Sequence, residues 1–203
     1  MGVRELPVGI RTQRLFMINL NVYYPVVYGL PDLAVQQRIN NTILNLVNQL
    51  IKDQGYYKNP LITDVTGTYE LKTNERGILS LSVINYAFAG GAHGMTFIKS
   101  LTFDVQTGKV YELKDLFKPG SDYVKRLSEI IRRQIAERNL PLLGEFKGIR
   151  PDQDYYIADK CLVVYFQLYE ITPYVFGFPA FPISVYEIED IIDEDGPLGR
   201  MLY

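Results

Sequence analysis

Tryptophan is absent from the sequence, and histidine and cysteine occur once each. The single cysteine, Cys161, has no partner for an internal disulfide, so it carries no information about the redox compartment. A zinc site needs three or four ligands, and His93 has no second histidine and no nearby cysteine, which predicts that no metal is bound. No run reaches the roughly 18 apolar residues of a membrane span, and the N-terminal MGVRELPVGI lacks the apolar region of a signal peptide.

The charges are nearly balanced, with 21 basic and 23 acidic residues and a net charge of -2. A protein that binds nucleic acid normally has a basic surface, so this composition predicts no nucleic-acid partner. With 47% apolar and 22% charged residues, the 203-residue chain has the composition of a folded protein rather than a disordered one. We therefore expect one large domain or two smaller parts.

Apolar residues alternate with polar ones in several segments, which predicts half-buried strands. These segments are 15–24 (ended by Pro25), 61–73, 78–88 and 97–105. Residues 155–157 and 161–168 predict a further hairpin with its turn at 158–160, and the second of these strands is apolar on both faces, which predicts a central position in its sheet. At the change of apolar face near Val83, we expect either a bulge or burial on both faces. Helical periodicity follows Asp32, whose carboxylate can cap the first turn, and a second helix begins where either Ser121 or Asp122 can cap it. A shorter helix is expected over 184–192.

The fold class expected from these patterns is α+β, with mainly antiparallel sheet, two longer amphipathic helices and a short C-terminal helix. We expect residues 13–113 to form a strand-helix-strand part with a meander. Residues 114–192 are expected to form a helix plus a C-terminal hairpin, packed with the first part as one globular unit. Residues 193–203 begin acidic and are expected to fray.

The segment Gly90-Gly91-Ala92-His93-Gly94 joins two long predicted strands. A lone histidine could act as a base or a proton switch, or could simply bond to backbone in a turn. No nucleophile motif such as G-x-S-x-G occurs, and no helix with a Lys-Ser/Thr pair follows the glycines as in a phosphate loop. The glycines are best explained by a chain reversal and by close approach of another part of the backbone.

Glu170 is the most unusual acid, because it follows a buried strand and lies among Tyr169, Pro173, Tyr174 and Phe176. A carboxylate surrounded by aromatic side chains must find hydrogen-bond donors, or its pKa rises. It could anchor a ligand amine or a partner's arginine. It could instead hold the proline-rich loop in place through backbone amides.

Two runs are the most distinctive in the chain: YAFAGGAHGMTFIKSLTFDVQTGKVYELKDLF and LVVYFQLYEITPYVFGFPAFPISVYEIEDII. They resemble a Gram-positive extracytoplasmic domain family. That family includes the outer domain of the lysozyme-binding anti-sigma-V factor and the non-catalytic N-terminal region of peptidoglycan deacetylases. The resemblance extends over roughly residues 13 to 192.

The resemblance implies an extracytoplasmic or cell-surface binding or sensing domain without enzymatic activity or cofactor. The implied partner is a protein such as lysozyme, or a cell-wall glycan. We expect the binding face to combine two loops, with contributions from Gly91, His93, Gly94, Tyr169, Glu170, Tyr174 and Phe176. Two alternatives stay open: an enzyme acting on cell-wall polysaccharide through a carboxylate such as Glu170, and a structural module with no ligand of its own.

Overall fold

The computed structural model describes residues 8–202. Its contacts divide the chain into two compact units, the first ending at Val110 and the second beginning at Tyr111. The expected parts, residues 13–113 and 114–192 packed as one globular unit, stay a prediction. Each unit is described by itself below.

The first unit is a five-stranded sheet with one long helix. Its elements are β1 (Gly9–Met17), β2 (Leu20–Tyr28), α1 (Leu33–Asp53), β3 (Asp64–Glu75), β4 (Ile78–Phe88) and β5 (Met95–Asp104). The strand order is β1-β2-β3-β4-β5, and only β2 and β3 run parallel. A parallel neighbour requires a crossover connection, and α1 provides it.

The predicted strand over 15–24 is in fact two strands, because the chain turns back between Met17 and Leu20. Asn19 takes a positive φ of 53° in this turn. The expectation that Pro25 ends the strand is wrong, since Pro25 lies within β2 opposite Thr12. A proline is tolerated there because β3 pairs with β2 only as far as Val22, so no strand needs the missing N–H on that side.

Helix α1 begins directly after Asp32, as the sequence predicts. The Asp32 carboxylate accepts the backbone N–H groups of Ala34 at 2.8 Å and Val35 at 3.2 Å. Its apolar stripe is buried against the sheet and consists of Val35, Ile39, Ile43, Val47, Leu50 and Ile51. The Asn40 side chain also bonds the N–H and C=O of Val27 at 2.8 and 2.9 Å, so the helix satisfies backbone groups of β2 that no strand pairs.

Neither expectation for the change of apolar face near Val83 is met: the end of β4 beyond Val83 is not buried on both faces, because Tyr86 and Phe88 are 39% and 38% exposed. All six residues from Ile78 to Val83 are buried, and the register shift lies on β3, between Leu71 and Thr73. The buried hydroxyls are paired across the strands, Ser80 with Thr102 at 2.9 Å and Ser82 with Ser100 at 2.8 Å. These pairs satisfy the buried hydroxyl groups of Ser80 and Ser82 in a central strand.

The second unit contains α2 (Tyr123–Glu137), the strands β6 (Tyr155–Ala158), β7 (Cys161–Tyr165) and β8 (Ala180–Ser184), and the short α3 (Gly199–Leu202). The three strands are antiparallel, and β7 is central as its apolar sequence predicts. The helix expected over 184–192 is instead two short 3-10 turns, Val185–Glu187 and Glu189–Ile191. The α+β class predicted from the sequence is confirmed.

The chain after Asp193 does not fray as expected. Leu198, Met201 and Leu202 are at most 6% exposed, and the Asp193 N–H donates to the carbonyl of Leu116 at 3.1 Å. Lys160 Nζ donates to the carbonyl of Leu202 at 3.3 Å. The acidic start of this segment suggested solvation, but its apolar residues return to the unit and are buried. Tyr203 lies outside the described residues.

Candidate functional site

The predicted site residues fall in both units. Gly91, His93 and Gly94 belong to the first unit, in the connection between β4 and β5. Tyr169, Glu170, Tyr174 and Phe176 belong to the second, between β7 and β8. That the two loops form one binding face stays a prediction.

The glycine-histidine loop is an exposed chain reversal. Gly90 and Gly91 have φ values of 91° and 99°, a region that favours glycine. His93 is exposed, and its Nδ1 lies 2.9 Å from the carbonyl oxygen of Gly94, to which a protonated Nδ1 donates. This contact is the backbone bond of a turn histidine. Within residues 8–202, no group of three or more His, Cys, Asp or Glu side chains could hold a metal ion.

Gly94 is buried beneath the ring of Tyr86. A Cβ atom at this position would lie 2.4 Å from Cζ of Tyr86 and 2.5 Å from the carbonyl oxygen of Ala87. The close backbone approach expected from the sequence is present here. Glycine is therefore required at position 94 by packing.

One face of the five-stranded sheet carries exposed aromatic side chains that the sequence analysis did not single out. Residues directly opposite each other on neighbouring strands share a face. The register places Phe16, Asn21, Thr66 and Tyr86 in one row across β1 to β4. Tyr23 and Phe88 lie two residues from this row on their own strands. We call Phe16, Tyr23, Tyr86 and Phe88 the aromatic face.

The aromatic face is opposite the face that α1 covers. Phe16 is 69% exposed, and the other three members are 38–39% exposed. The guanidinium of Arg14 lies 4.2 Å from the ring centroid of Phe16 and 5.5 Å from that of Tyr23. This surface forms because the strand register aligns residues that are far apart in the sequence. The sequence shows the alternation within each strand, but it does not show which residues of different strands lie side by side.

Glu170 is held by three donors in the second unit. Its Oε2 accepts the backbone N–H of Gln167 at 2.7 Å, and its Oε1 accepts the side-chain amide of Gln153 at 3.2 Å. The Arg150 guanidinium forms an ion pair with the same Oε1. The Glu170 side chain is 20% exposed, Gln153 is 2% exposed and Arg150 is 50% exposed, so the carboxylate and the amide are sheltered while the guanidinium reaches solvent. The arrangement fits the interpretation that Glu170 holds the loop in place.

The surroundings of Arg150 favour its charged form. Burial lowers the pKa of Arg150, but the hydrogen bond and the charge of Glu170 outweigh that effect, so the pKa is raised overall. Asp152 adds a second, exposed carboxylate 3.4 Å from Nε of Arg150. Gln167 extends the network, because its side-chain amide donates to Asp154 at 2.9 Å.

The segment Tyr169–Phe176, which we call the aromatic loop, presents apolar side chains to solvent. Tyr169 has a positive φ of 64°, and its ring centroid lies 5.5 Å from that of Tyr174. Val175 is 82% exposed and Phe176 is 47% exposed. The base of the loop is fixed by Glu170 and by fully buried Thr172. An apolar tip on a firmly held base is a typical feature of a recognition loop.

Two family descriptions match the chain in succession. Residues 13–96 match the family described as deacetylase PdaC, and residues 114–186 match the protein family of unknown function DUF3298. The family resemblance expected from the sequence is confirmed.

Two proteins of Bacillus subtilis (strain 168) are similar to the chain over most of its length. It is 28% identical to the anti-sigma-V factor RsiV over 189 residues, and this match covers 86% of the present chain. It is 25% identical over 184 residues to the peptidoglycan-N-acetylmuramic acid deacetylase PdaC, which covers 87%. The chain spans 65% of the length of RsiV and 39% of the length of PdaC.

Two crystal structures of DUF3298 family members have the same fold. The structure from Bacteroides fragilis NCTC 9343 superposes with a TM-score of 0.68 at 14% identity and covers 98% of both chains. The one from Pseudomonas aeruginosa PAO1 gives 0.69 at 15% identity, over 93% of this chain and 95% of the other. Among residues 8–202, no helix combines the length and the apolar character that a bilayer crossing requires.

Proposed function

We propose that this chain is a non-catalytic binding or sensing domain that acts outside the cytoplasm and recognises a protein such as lysozyme. The observation that carries the proposal is the aromatic loop, whose apolar tip is exposed while its base is fixed through Glu170. The similarity to an anti-sigma factor and to a peptidoglycan deacetylase supports a location at the cell envelope.

The charge of the second unit favours a basic partner. Residues 111–203 contain 11 basic and 16 acidic side chains, a net charge of -5, whereas residues 1–110 contain 10 and 7, a net charge of +3. Lysozyme is strongly basic, so it would be attracted to the unit that carries the aromatic loop. Aromatic side chains commonly supply most of the affinity at the centre of such an interface.

Calorimetry with purified lysozyme tests this proposal. We expect a saturable complex that weakens as salt is raised, because exposed charges are screened. Replacing Phe176 with alanine is expected to weaken the complex about tenfold, since an exposed aromatic anchor is lost while the fold is kept.

The matched control is Tyr57→Ala, which removes a ring of similar exposure (54%) from the first unit. It is expected to leave the affinity unchanged. Absence of heat at low salt would refute the lysozyme proposal, and equal losses for Tyr57→Ala and Phe176→Ala would remove the aromatic loop from it.

A second candidate ligand, a cell-wall glycan, is favoured by the aromatic face of the first unit. Exposed rings beside the Asn21 amide, the Thr66 hydroxyl and the Arg14 guanidinium suit sugar rings, which have apolar faces and hydroxyl edges. Phe16 and Tyr23 contact the same guanidinium, so their platform is already ordered.

Sedimentation with insoluble peptidoglycan tests the glycan candidate. We expect the double variant Phe16→Ala/Tyr23→Ala to lower the retained fraction by about fivefold or more, as two stacking surfaces are lost. Leu33→Ala, at a 71% exposed position on α1, is the control and should sediment like the parent chain. Equal retention of all three proteins would exclude the aromatic face as the glycan site.

The enzymatic alternative requires that the Glu170 carboxylate is available to a substrate. A glycoside hydrolase needs two carboxylates that are available to the substrate, one on each side of the scissile bond. Glu170 is engaged by Arg150, Gln153 and the Gln167 backbone, which favours a role in holding the loop.

A further inference from the structure

A groove of about 390 Å³ lies along α2 in the second unit. It is lined by α2 side chains on one side and by residues 147–149 on the other. Lys125, Glu129 and Arg132 project from α2 at spacings of four and three, so they share one helix face. Lys147 faces them from the loop. We call these four residues and the space between them the basic groove.

The wall formed by residues 147–149 is fixed to α2. The Ser128 hydroxyl donates to the carbonyl of Val124 at 2.6 Å and accepts the backbone N–H of Ile149 at 3.0 Å. Gly148 has a φ of 119°, and a Cβ there would lie 2.9 Å from Ser128 Oγ. A side chain at position 148 would therefore be strained at this φ and would require the Ser128 hydroxyl to move.

Buried neighbours also fix the backbone of Lys147. Phe146 is 9% exposed and packs edge-on against Phe166, and Ile149 is 6% exposed. The Arg132 guanidinium lies 5.7 Å from the Phe146 ring centroid, so this cation is also held on the groove side of α2. The cations are thus carried on ordered backbone, which lowers the entropic cost of binding a ligand.

The charges of the groove favour an anion. Within residues 8–202, neither Lys125, Arg132 nor Lys147 forms an ion pair with a carboxylate. Two acids also line the groove, Asp122 and Glu129. Asp122 accepts the backbone N–H of Lys125 at 3.2 Å and keeps its negative charge, so three cations and two carboxylates leave the lining with one excess positive charge. Three cations around one space match a group with about two negative charges and three acceptor oxygens, which describes a phosphate.

We propose that the basic groove binds a phosphorylated ligand. Lys125, Arg132 and Lys147 contact the phosphate oxygens, and the volume of the groove is within the range of small-molecule sites. Glu129 weakens the binding of the anion and would favour a ligand that also carries an amine or hydroxyl groups. The site is separate from the aromatic loop and does not depend on lysozyme or glycan binding.

The test is an NMR titration of the ¹⁵N-labelled chain with inorganic phosphate, compared with chloride at equal ionic strength. We expect saturable shifts of the backbone amides of Ser128, Gly148 and Ile149. Lys147→Gln should weaken phosphate binding about fivefold or more, because one charge-assisted contact is lost. Glu129→Gln should strengthen binding, since it removes one of the two carboxylates that line the groove.

Lys52→Gln is the control for net charge, because Lys52 is an exposed cation at the end of α1 in the first unit. It should leave phosphate binding unchanged. Glycerol 3-phosphate and a glycerol-phosphate polymer distinguish two sources of the ligand. Tighter binding of glycerol 3-phosphate indicates a small phosphate monoester, and tighter binding of the polymer indicates an anionic polymer. Linear shifts without saturation for every probe, or equal losses for Lys52→Gln and Lys147→Gln, would overturn the proposal.

Discussion

Replacing Gly94 with alanine is expected to destabilise the first unit by about 2–3 kcal/mol, because a well-packed site cannot accept an added methyl group without moving its neighbours. The new Cβ would lie 2.4 Å from the Tyr86 ring and 2.5 Å from the Ala87 carbonyl oxygen. The ring can rotate away, but the carbonyl belongs to β4 and cannot move without disturbing its pairing with β5. Urea unfolding followed by far-UV circular dichroism measures the loss.

His93→Ala is the matched comparison in the same loop. His93 is exposed, and its ring contacts the carbonyl of the next residue, so its loss should change the free energy of unfolding by less than about 0.5 kcal/mol. A large effect of His93→Ala together with a small effect of Gly94→Ala would reverse our interpretation of this loop. It would mean that the histidine, rather than the glycine packing, determines its conformation.

Replacing Glu170 with glutamine is expected to destabilise the second unit by about 2–3 kcal/mol, as hydrogen bonds to a charged group contribute more than neutral ones. One carboxylate oxygen would become an NH₂ group facing either the Gln167 N–H or the Arg150 guanidinium. Both are donors, so the amide cannot satisfy them together. The cost is below that of a fully buried ion pair, because Arg150 is 50% exposed and can regain water.

Asp152→Asn is the control, since Asp152 also faces Arg150 but is 86% exposed. An exposed pair of this kind contributes at most about 1 kcal/mol, and we expect a change below about 0.5 kcal/mol. Hydrogen exchange of peptides covering residues 161–177 should show faster exchange for Glu170→Gln alone. Unchanged stability and exchange would indicate that Glu170 is not required to hold the loop, and the enzymatic alternative would then regain support.

The sequence identified many residues of the candidate site by their type, but it did not identify the residues that contact them. Glu170 among aromatic side chains predicted a carboxylate that needs donors. Gln167, one of those donors, is near in sequence, whereas Arg150 and Gln153 come from an irregular segment whose course no local pattern predicts. The basic groove likewise depends on distant partners, because Lys147 is brought to α2 by the hydrogen bond between Ile149 and Ser128 and by the packing of Phe146 against Phe166.

The sequence by itself determined the α+β class, both long helices with their aspartate caps, the glycine turns and the central position of β7. Each depends on neighbours a few residues away, through periodicity, capping and allowed backbone angles. Only the tertiary structure decided the β1–β2 hairpin, the parallel β2–β3 pair and the burial of the C-terminal segment. It also decided the alignment of Phe16 with Tyr86. These features depend on strand register and on packing between distant segments. The local sequence pattern is compatible with more than one register and with more than one packing arrangement.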